Sequence, residues 1–134
     1  MMIRPLCCLA ALVMTSSALA GAVIYTDSAH PIPTSTDVPV VYLDAPERVQ
    51  AQLFGQLSAD PAQAERDALA VLSSASFRQA EQQLKDAYSG ATRAWSLGLE
   101  KYPAIVFDDQ FVVYGTTDVA LAEQRLKAWQ EGQR

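Results

Sequence analysis

Residues 100–115 read EKYPAIVFDDQFVVYG, in which a proline precedes two short apolar runs that are joined by a polar turn. The runs 104–107 and 111–114 are rich in β-branched and aromatic residues, which is typical of strands. The polar residues between them can reverse the chain, because Asp hydrogen-bonds its own backbone in tight turns. This stretch therefore predicts an antiparallel hairpin. Asp108 and Asp109 are interpreted as turn residues rather than as a catalytic carboxylate pair.

Two further strands are predicted towards the N-terminus, over residues 22–26 (AVIYT) and 38–43 (VPVVYL). The segment 27–37 between them is rich in Pro, Ser and Thr and is predicted to be a loop. Pro39 indicates that the second strand begins late or lies near an edge of the sheet, since proline cannot donate to a strand ladder.

Three helix starts are indicated by an aspartate that can accept a hydrogen bond from a free backbone N–H. Asp44 is a plausible cap for a first helix. Asp60, followed by Pro61, predicts a second helix that runs to about residue 72. Asp118 is the natural cap of a C-terminal helix, whose apolar residues keep a spacing of three or four.

A longer helix is predicted over residues 77–97, with Ser76 as its cap and Gly98 as its stop. Its apolar residues recur every three or four positions: Phe77, Ala80, Leu84, Tyr88, Ala91 and Trp95. The stripe continues through Gly90, although an interior glycine costs about 1 kcal/mol. We therefore interpret the aromatic members of the stripe as helix core rather than as a ligand site.

The order strand, loop, strand, helices, strand, strand, helix predicts an α/β sandwich with a four-stranded mixed sheet. The strands that flank the helices can lie parallel, joined by a crossover through those helices. The closing strand, strand and helix resemble the end of a thioredoxin-like fold. Two departures from that fold are expected: no helix separates the first two strands, and the CxxC motif is missing.

The first twenty residues have the layout of a secretory signal peptide. Arg4 is followed by an apolar run at 5–14, and Ala18-Leu19-Ala20 supplies a small-residue cleavage motif. An apolar run of about ten residues is too short to span a bilayer, which needs about 20. We predict cleavage after Ala20, a periplasmic location and a single thioredoxin-like domain over residues 21–134, with no membrane span.

Charge and cysteine usage exclude several classes of function. Without residues 1–20 the chain keeps 9 Lys and Arg against 15 Asp and Glu, a net charge of −6 with His neutral. Such an acidic domain repels phosphate backbones, so nucleic acid is not an expected partner. Cys7 and Cys8 both lie inside the predicted signal peptide. Residues 21–134 therefore hold no thiolate, the nucleophile of disulfide exchange.

Two proline-containing pairs are the sharpest candidate site features. The Tyr102-Pro103 bond is predicted to be cis, the alternative being a trans proline at the first residue of a strand. His30-Pro31 lies where a thioredoxin carries its CxxC turn. His30 could move a proton or bind a metal, but one histidine is too few for a zinc site, and an exposed loop histidine is the favoured interpretation.

If the fold is right, the loops 27–35, 101–103 and 115–118 converge into a groove that could bind a protein partner. The candidate contacts are His30, Pro31, Tyr102, Pro103 and Thr116. No nucleotide-binding motif or catalytic constellation is found in the sequence, so neither an enzyme nor a cofactor or metal is expected.

Beyond the fold, the chain resembles the small exported proteins of integrating conjugative elements. The resemblance covers essentially residues 21–134 and rests on AYSG, AWSLG, YPAIV and VVYG in that order. It implies a periplasmic accessory of a type IV secretion apparatus for conjugative DNA transfer, related in outline to thioredoxin-like pilus-assembly proteins. It implies no reaction and no oligomeric state. The alternatives are a periplasmic thioredoxin-like chaperone and a redox-inactive relative of thiol-disulfide oxidoreductases.

Overall fold

The computed structural model describes residues 21–33 and 36–134. The predicted signal peptide with its two cysteines, and residues 34–35 of the first loop, lie outside the described residues. Four strands and four helices follow one another in the described part of the chain: β1 Ala22–Thr26, β2 Val40–Tyr42, α1 Ala45–Phe54, α2 Pro61–Leu72, α3 Ala75–Ser96, β3 Ala104–Phe107, β4 Phe111–Tyr114 and α4 Val119–Gly132.

The four strands form one mixed sheet in the order β2-β1-β3-β4. β1 pairs in parallel with β2 and antiparallel with β3, and β3 pairs antiparallel with β4. The predicted hairpin and the predicted four-stranded mixed sheet are both confirmed. Together with the helices, the arrangement is consistent with a thioredoxin-like α/β sandwich.

The prediction that the strands flanking the helices lie parallel is wrong. β2 and β3 pair with β1 in opposite senses, so they run antiparallel to each other. The reason lies in the lengths of the helices. α1 and α2 have 10 and 12 residues, and α3 alone has 22, so α3 is long enough to bring the chain back to the end of the sheet that it left. The parallel connection is made instead by the loop between β1 and β2.

The sheet separates two apolar clusters, as the alternation of side chains along a strand requires. On one face Ile24, Ile105 and Phe107 pack with Ala122 and Leu126 of α4. On the other face Tyr25 and Val106 pack with Ala94 of α3. All four residues of β3 are buried, so this strand lies at the centre of the core.

Two of the four predicted helix caps are confirmed. Asp60 accepts from the N–H of Gln63 at 3.0 Å, and Asp118 accepts from the N–H of Leu121 at 3.1 Å, as predicted. α3 is capped by Ser74, whose hydroxyl accepts from the N–H of Phe77, and the prediction of Ser76 is wrong. Asp44 stands at the N-cap position of α1 but makes no side-chain cap bond, since its carboxylate is used elsewhere.

The interpretation of Tyr88 and Trp95 as helix core is also wrong. Tyr88 is exposed and Trp95 is 84% exposed. The inward face of α3 is lined by Phe77, Ala80, Leu84, Ala87, Gly90, Ala91 and Ala94. The face that α3 turns inward is determined by Gly90. A Cβ at this position would lie 2.7 Å from Cγ1 of Val41, so only glycine lets α3 approach β2 so closely.

The hairpin turn is confirmed. Asp108 and Asp109 both have positive φ, as the central residues of a type I′ turn do. The carboxylate of Asp109 lies 2.6 Å from the guanidinium of Arg93 on α3. The turn is thereby tied to the helical layer. In the described part of the chain, no helix has the length and apolarity needed to cross a bilayer.

Candidate functional site: the loop-end surface

Three chain segments meet at one end of the sheet. Tyr25 pairs with Ala104, and Ala104 pairs with Tyr114. Because each pairing is antiparallel, the segment that leaves β1, the segment that enters β3 and the segment that leaves β4 all lie at the same end. We refer to Asp27, His30, Pro31, Tyr102 and Pro103, which lie on the first two of these segments, as the loop-end surface.

The turn into β3 is fixed by its backbone. The Tyr102-Pro103 bond is cis, as predicted. The carbonyl oxygen of Pro103 accepts a hydrogen bond of 2.8 Å from the N–H of Gly115, which has a φ of 84°. This bond joins the segment before β3 to the segment after β4, so the position of Tyr102 depends on both.

His30 is held by Asp27, three residues before it. Oδ1 of Asp27 lies 2.6 Å from Nδ1 of the imidazole and accepts from the backbone N–H of His30 at 3.0 Å. On the other side, the hydroxyl of the buried Thr26 donates to the carbonyl oxygen of His30 at 2.8 Å. The ring and the backbone of His30 are therefore both anchored to the end of β1.

A second anchor ties the same loop to α1. Asp44 accepts from the backbone N–H of Ser28 at 3.2 Å and from its hydroxyl. The hydroxyl of Ser28 is the main cause that holds the pKa of Asp44 below its usual value of 3.8, and the nearby guanidinium of Arg48 adds to it. Asp44 thus holds the loop through Oδ2, while its Oδ1 has no hydrogen-bond partner among the described residues and caps no N–H of α1.

The rings of His30 and Tyr102 meet in an edge-to-face contact, with centroids 6.4 Å apart and an interplanar angle of 77°. The side chain of His30 is 50% exposed and Tyr102 is 53% exposed. Two segments that are far apart in the sequence therefore present a fixed pair of half-exposed rings to solvent. This geometry is preferred by aromatic pairs because a positive ring edge meets a negative face.

The remaining predicted site residues have different positions. Pro31 is exposed next to His30, and Pro103 is partly buried. Thr116 is only 9% exposed, and its hydroxyl accepts from the N–H of Asp118 at 3.0 Å. Thr116 therefore shapes the entry into α4 and contributes little to the exposed surface.

The chemistry available at the loop-end surface is limited. In the described ranges no group of three His, Cys, Asp or Glu residues is placed to hold a metal ion. The pair of Asp27 and His30 has the form of a base with its orienting carboxylate, which also needs a nucleophile. Among the described residues that flank Asp27, the hydroxyls of Thr26 and Ser28 are directed to the carbonyl of His30 and to Asp44.

Two hollows of the described surface lie away from the loop end. One of about 630 Å³ runs along the outer side of α4, and another of about 450 Å³ lies between β4 and α4. Neither includes His30 or Tyr102. At the loop end itself, the half-exposed rings of His30 and Tyr102 face solvent.

Two features of this site are absent from the sequence interpretation. Asp27 as the partner of His30 could have been found from the spacing D-x-x-H, which brings the two side chains together in a tight turn. The bond between Ser28 and Asp44 could not, because it joins two segments whose distance only the fold determines. Neither feature changes the candidate residues, but both explain why the loop has one conformation.

A family model described as "Protein of unknown function (DUF1525)" matches residues 19–132. No curated protein and no solved structure matches the chain.

Proposed function

The chain belongs to the DUF1525 family of proteins of unknown function, and we propose that it is an exported, non-enzymatic accessory of a conjugative type IV secretion apparatus. In this proposal the loop-end surface docks a protein component of the apparatus. The family description carries no function, so the proposal rests on the surface itself and on the resemblance to proteins of integrating conjugative elements.

The observation that carries the proposal is the contact between His30 and Tyr102. Both rings are half exposed; the ring of His30 is bonded to Asp27, and the segment that carries Tyr102 is tied to the end of the sheet through the carbonyl of Pro103. A rigid, exposed aromatic side chain provides a large contact area and loses little conformational entropy when it is covered. Aromatic residues of this kind are enriched among those that dominate interface energies.

The composition supports a binding role over a chemical one. Residues 21–134 contain no cysteine, so disulfide exchange at this surface has no nucleophile. The net charge of −6 disfavours direct binding to the transferred DNA. A protein partner remains the class of ligand that the loop-end surface suits best. Export to the periplasm, where such a partner would be met, is part of the proposal.

The experiment is a mating assay with a donor strain that lacks this protein. The strain is complemented with the wild-type chain or with Tyr102→Ala, and protein level is measured beside transfer frequency. Truncation of a central interface aromatic typically costs about 2 kcal/mol. That value corresponds to about thirtyfold weaker binding. We expect Tyr102→Ala to lower transfer while the level of folded, exported protein stays unchanged.

Trp95→Ala is the matched control, since it removes another exposed aromatic from a different face. It should leave transfer at the wild-type level. Equal loss in both variants, or loss that follows protein level, would contradict docking at the loop-end surface. Normal transfer without the protein would contradict a role in the apparatus and would favour a general periplasmic chaperone.

A further inference from the structure

The two edges of the sheet differ in how they are protected. β2 has only three residues and follows Pro39, which has no N–H to offer. Its Val41 lies against Gly90 of α3, and the guanidinium of Arg48 lies 5.3 Å from the centre of the Tyr42 ring. Short length, proline and an overlying charge are the usual means by which an edge strand avoids pairing with another chain.

β4, at the opposite edge, is less protected: it is one residue longer than β2, and the charged side chain beside it, that of Arg125, lines the hollow next to the strand. It reads FVVY, four apolar residues without proline or charge, and the next residue is Gly115. Beside it, β4 and α4 form the hollow of about 450 Å³, which is lined in part by Phe111, Val113 and Trp129. The centroids of the Trp129 and Phe111 rings lie 6.1 Å apart, but Trp129 remains 55% exposed.

The hydrogen bonds of the hairpin identify which groups of β4 are free. The N–H of Gly115 points inward, to the carbonyl of Pro103. In an antiparallel ladder the N–H and C=O of one residue point to the same side, and successive residues alternate. Phe111 and Val113 therefore bond to β3, and the backbone groups of Val112 and Tyr114 point away from the sheet.

We propose that this edge pairs with the same edge of a second copy, so that two sheets join into one of eight strands about a two-fold axis. With the axis at Val113, Val112 of each copy faces Tyr114 of the other. The N–H and C=O groups of Val112 and Tyr114 are then hydrogen-bonded to the other copy. The interface is isologous, which is the commonest arrangement in homodimers. It does not depend on the loop-end surface.

A second copy would meet the least charge repulsion at this edge. Two copies with a net charge of −6 each repel over most of their surface. The strip Phe111–Tyr114 carries no charge and places Val113 against Val113 of the second copy. The exposed part of Trp129 and the hollow beside β4 lie along the same edge, where the second copy would cover them. Added salt should therefore strengthen the dimer by screening the repulsion.

A single engineered thiol tests the register. We would express the full chain with Cys7→Ser and Cys8→Ser, so that Val113→Cys supplies the only thiol whether or not residues 1–20 are removed. Residues that face each other in a non-hydrogen-bonded antiparallel pair have Cα atoms about 4.5 Å apart, within the range of a disulfide. We expect a covalent dimer to form at least tenfold faster than with Trp95→Cys in the same background. Equal rates would overturn the proposal.

The non-covalent dimer is tested by sedimentation of the wild-type chain and of Val112→Pro. The substitution removes an N–H that points outward, so it spares the ladder with β3. We expect the dissociation constant to rise at least tenfold, with an unchanged circular dichroism spectrum. Tyr114→Lys, which places a charge on the edge, should act in the same direction and serves if the proline variant does not fold. A wild-type chain that stays monomeric at millimolar concentration, or a dimer that neither variant weakens, would overturn the proposal.

Discussion

The loop-end surface and the outer face of α3 both expose aromatic side chains, but they do so in different ways. At the loop end, Tyr102 meets His30 from a distant segment, and hydrogen bonds fix both segments. On α3, Tyr88 and Trp95 stand two turns apart on one helix, and Trp95 is almost fully exposed. Exposure alone therefore does not distinguish a site. At the loop end, two separate segments converge on fixed positions, and for this reason we propose that the loop end, rather than the outer face of α3, docks the partner protein.

The largest expected effect tests whether α3 really turns its aromatic residues outward. Gly90→Leu should lower the free energy of unfolding by about 2 kcal/mol, because its side chain would meet Val41 in a packed contact. Chemical denaturation measures this. The control Ser89→Leu, one position away on the exposed side, should stay within about 0.5 kcal/mol of the wild type. If Gly90→Leu were equally harmless, α3 would lie with another face inward and the comparison would fail.

A smaller effect concerns the anchoring of the loop end. Asp27→Ala removes the carboxylate that bonds the ring of His30 and leaves its backbone N–H with only the carbonyl oxygen of Asp27, at 3.2 Å, so it should cost about 1 kcal/mol. Hydrogen exchange should also become faster at His30. On α3, Glu81→Ala removes an exposed partner of Lys85 and should cost about 0.3 kcal/mol. Equal costs would mean that the loop-end anchor is no firmer than an ordinary surface ion pair.

Local sequence patterns predict some of these features but not others. Strand content, the hairpin, the caps at Asp60 and Asp118 and the cis bond follow from local patterns, and the structure agrees with each of them. The inward face of α3 could not be predicted, since the stripe through Tyr88 and Trp95 keeps the same spacing as the true one through Ala87 and Ala94. Only the contact between Gly90 and β2 decides between them.

The candidate site shows the same division. His30 and Tyr102 could be singled out by their prolines and by the thioredoxin-like order of elements. The sense of β2 relative to β3 and the bond from Ser28 to Asp44 depend on long-range geometry, for which the sequence carries no periodic signal. The composition predicts the acidic net charge of the chain, but it does not locate the uncharged edge strand β4.

A double-mutant cycle measures the ring contact itself. His30→Ala and Tyr102→Ala should show a coupling of about 0.5 kcal/mol in the free energy of unfolding, the lower end for an edge-to-face pair because both rings are half exposed. His30→Ala and Trp95→Ala should be additive within about 0.3 kcal/mol, since they do not touch. Additivity of His30→Ala and Tyr102→Ala would mean that the two rings do not stabilise each other, and the loop end would then not differ from α3 in this respect.

The smallest expected effect is the pH dependence of stability that comes from the bonds between Ser28 and Asp44. Because the bonds from Ser28 lower the pKa of Asp44 in the folded state, its contribution to stability is present above the unfolded value of 3.8 and is lost as the pH falls through the lower folded value. Between about pH 5 and pH 2.5, the wild type should lose more stability than Ser28→Ala does. Parallel pH profiles of the two proteins would show that this anchor contributes nothing measurable.

The central claim, that the loop end and not α3 docks a partner, is tested most directly by photo-crosslinking in mating cells. A benzophenone amino acid replaces Tyr102 in one strain and Trp95 in another, so that one aromatic ring replaces another on each face. Irradiation should give a discrete covalent adduct with a component of the secretion apparatus from position 102 and none from position 95. An adduct from position 95 alone, or from neither position in cells that transfer DNA normally, would contradict the account.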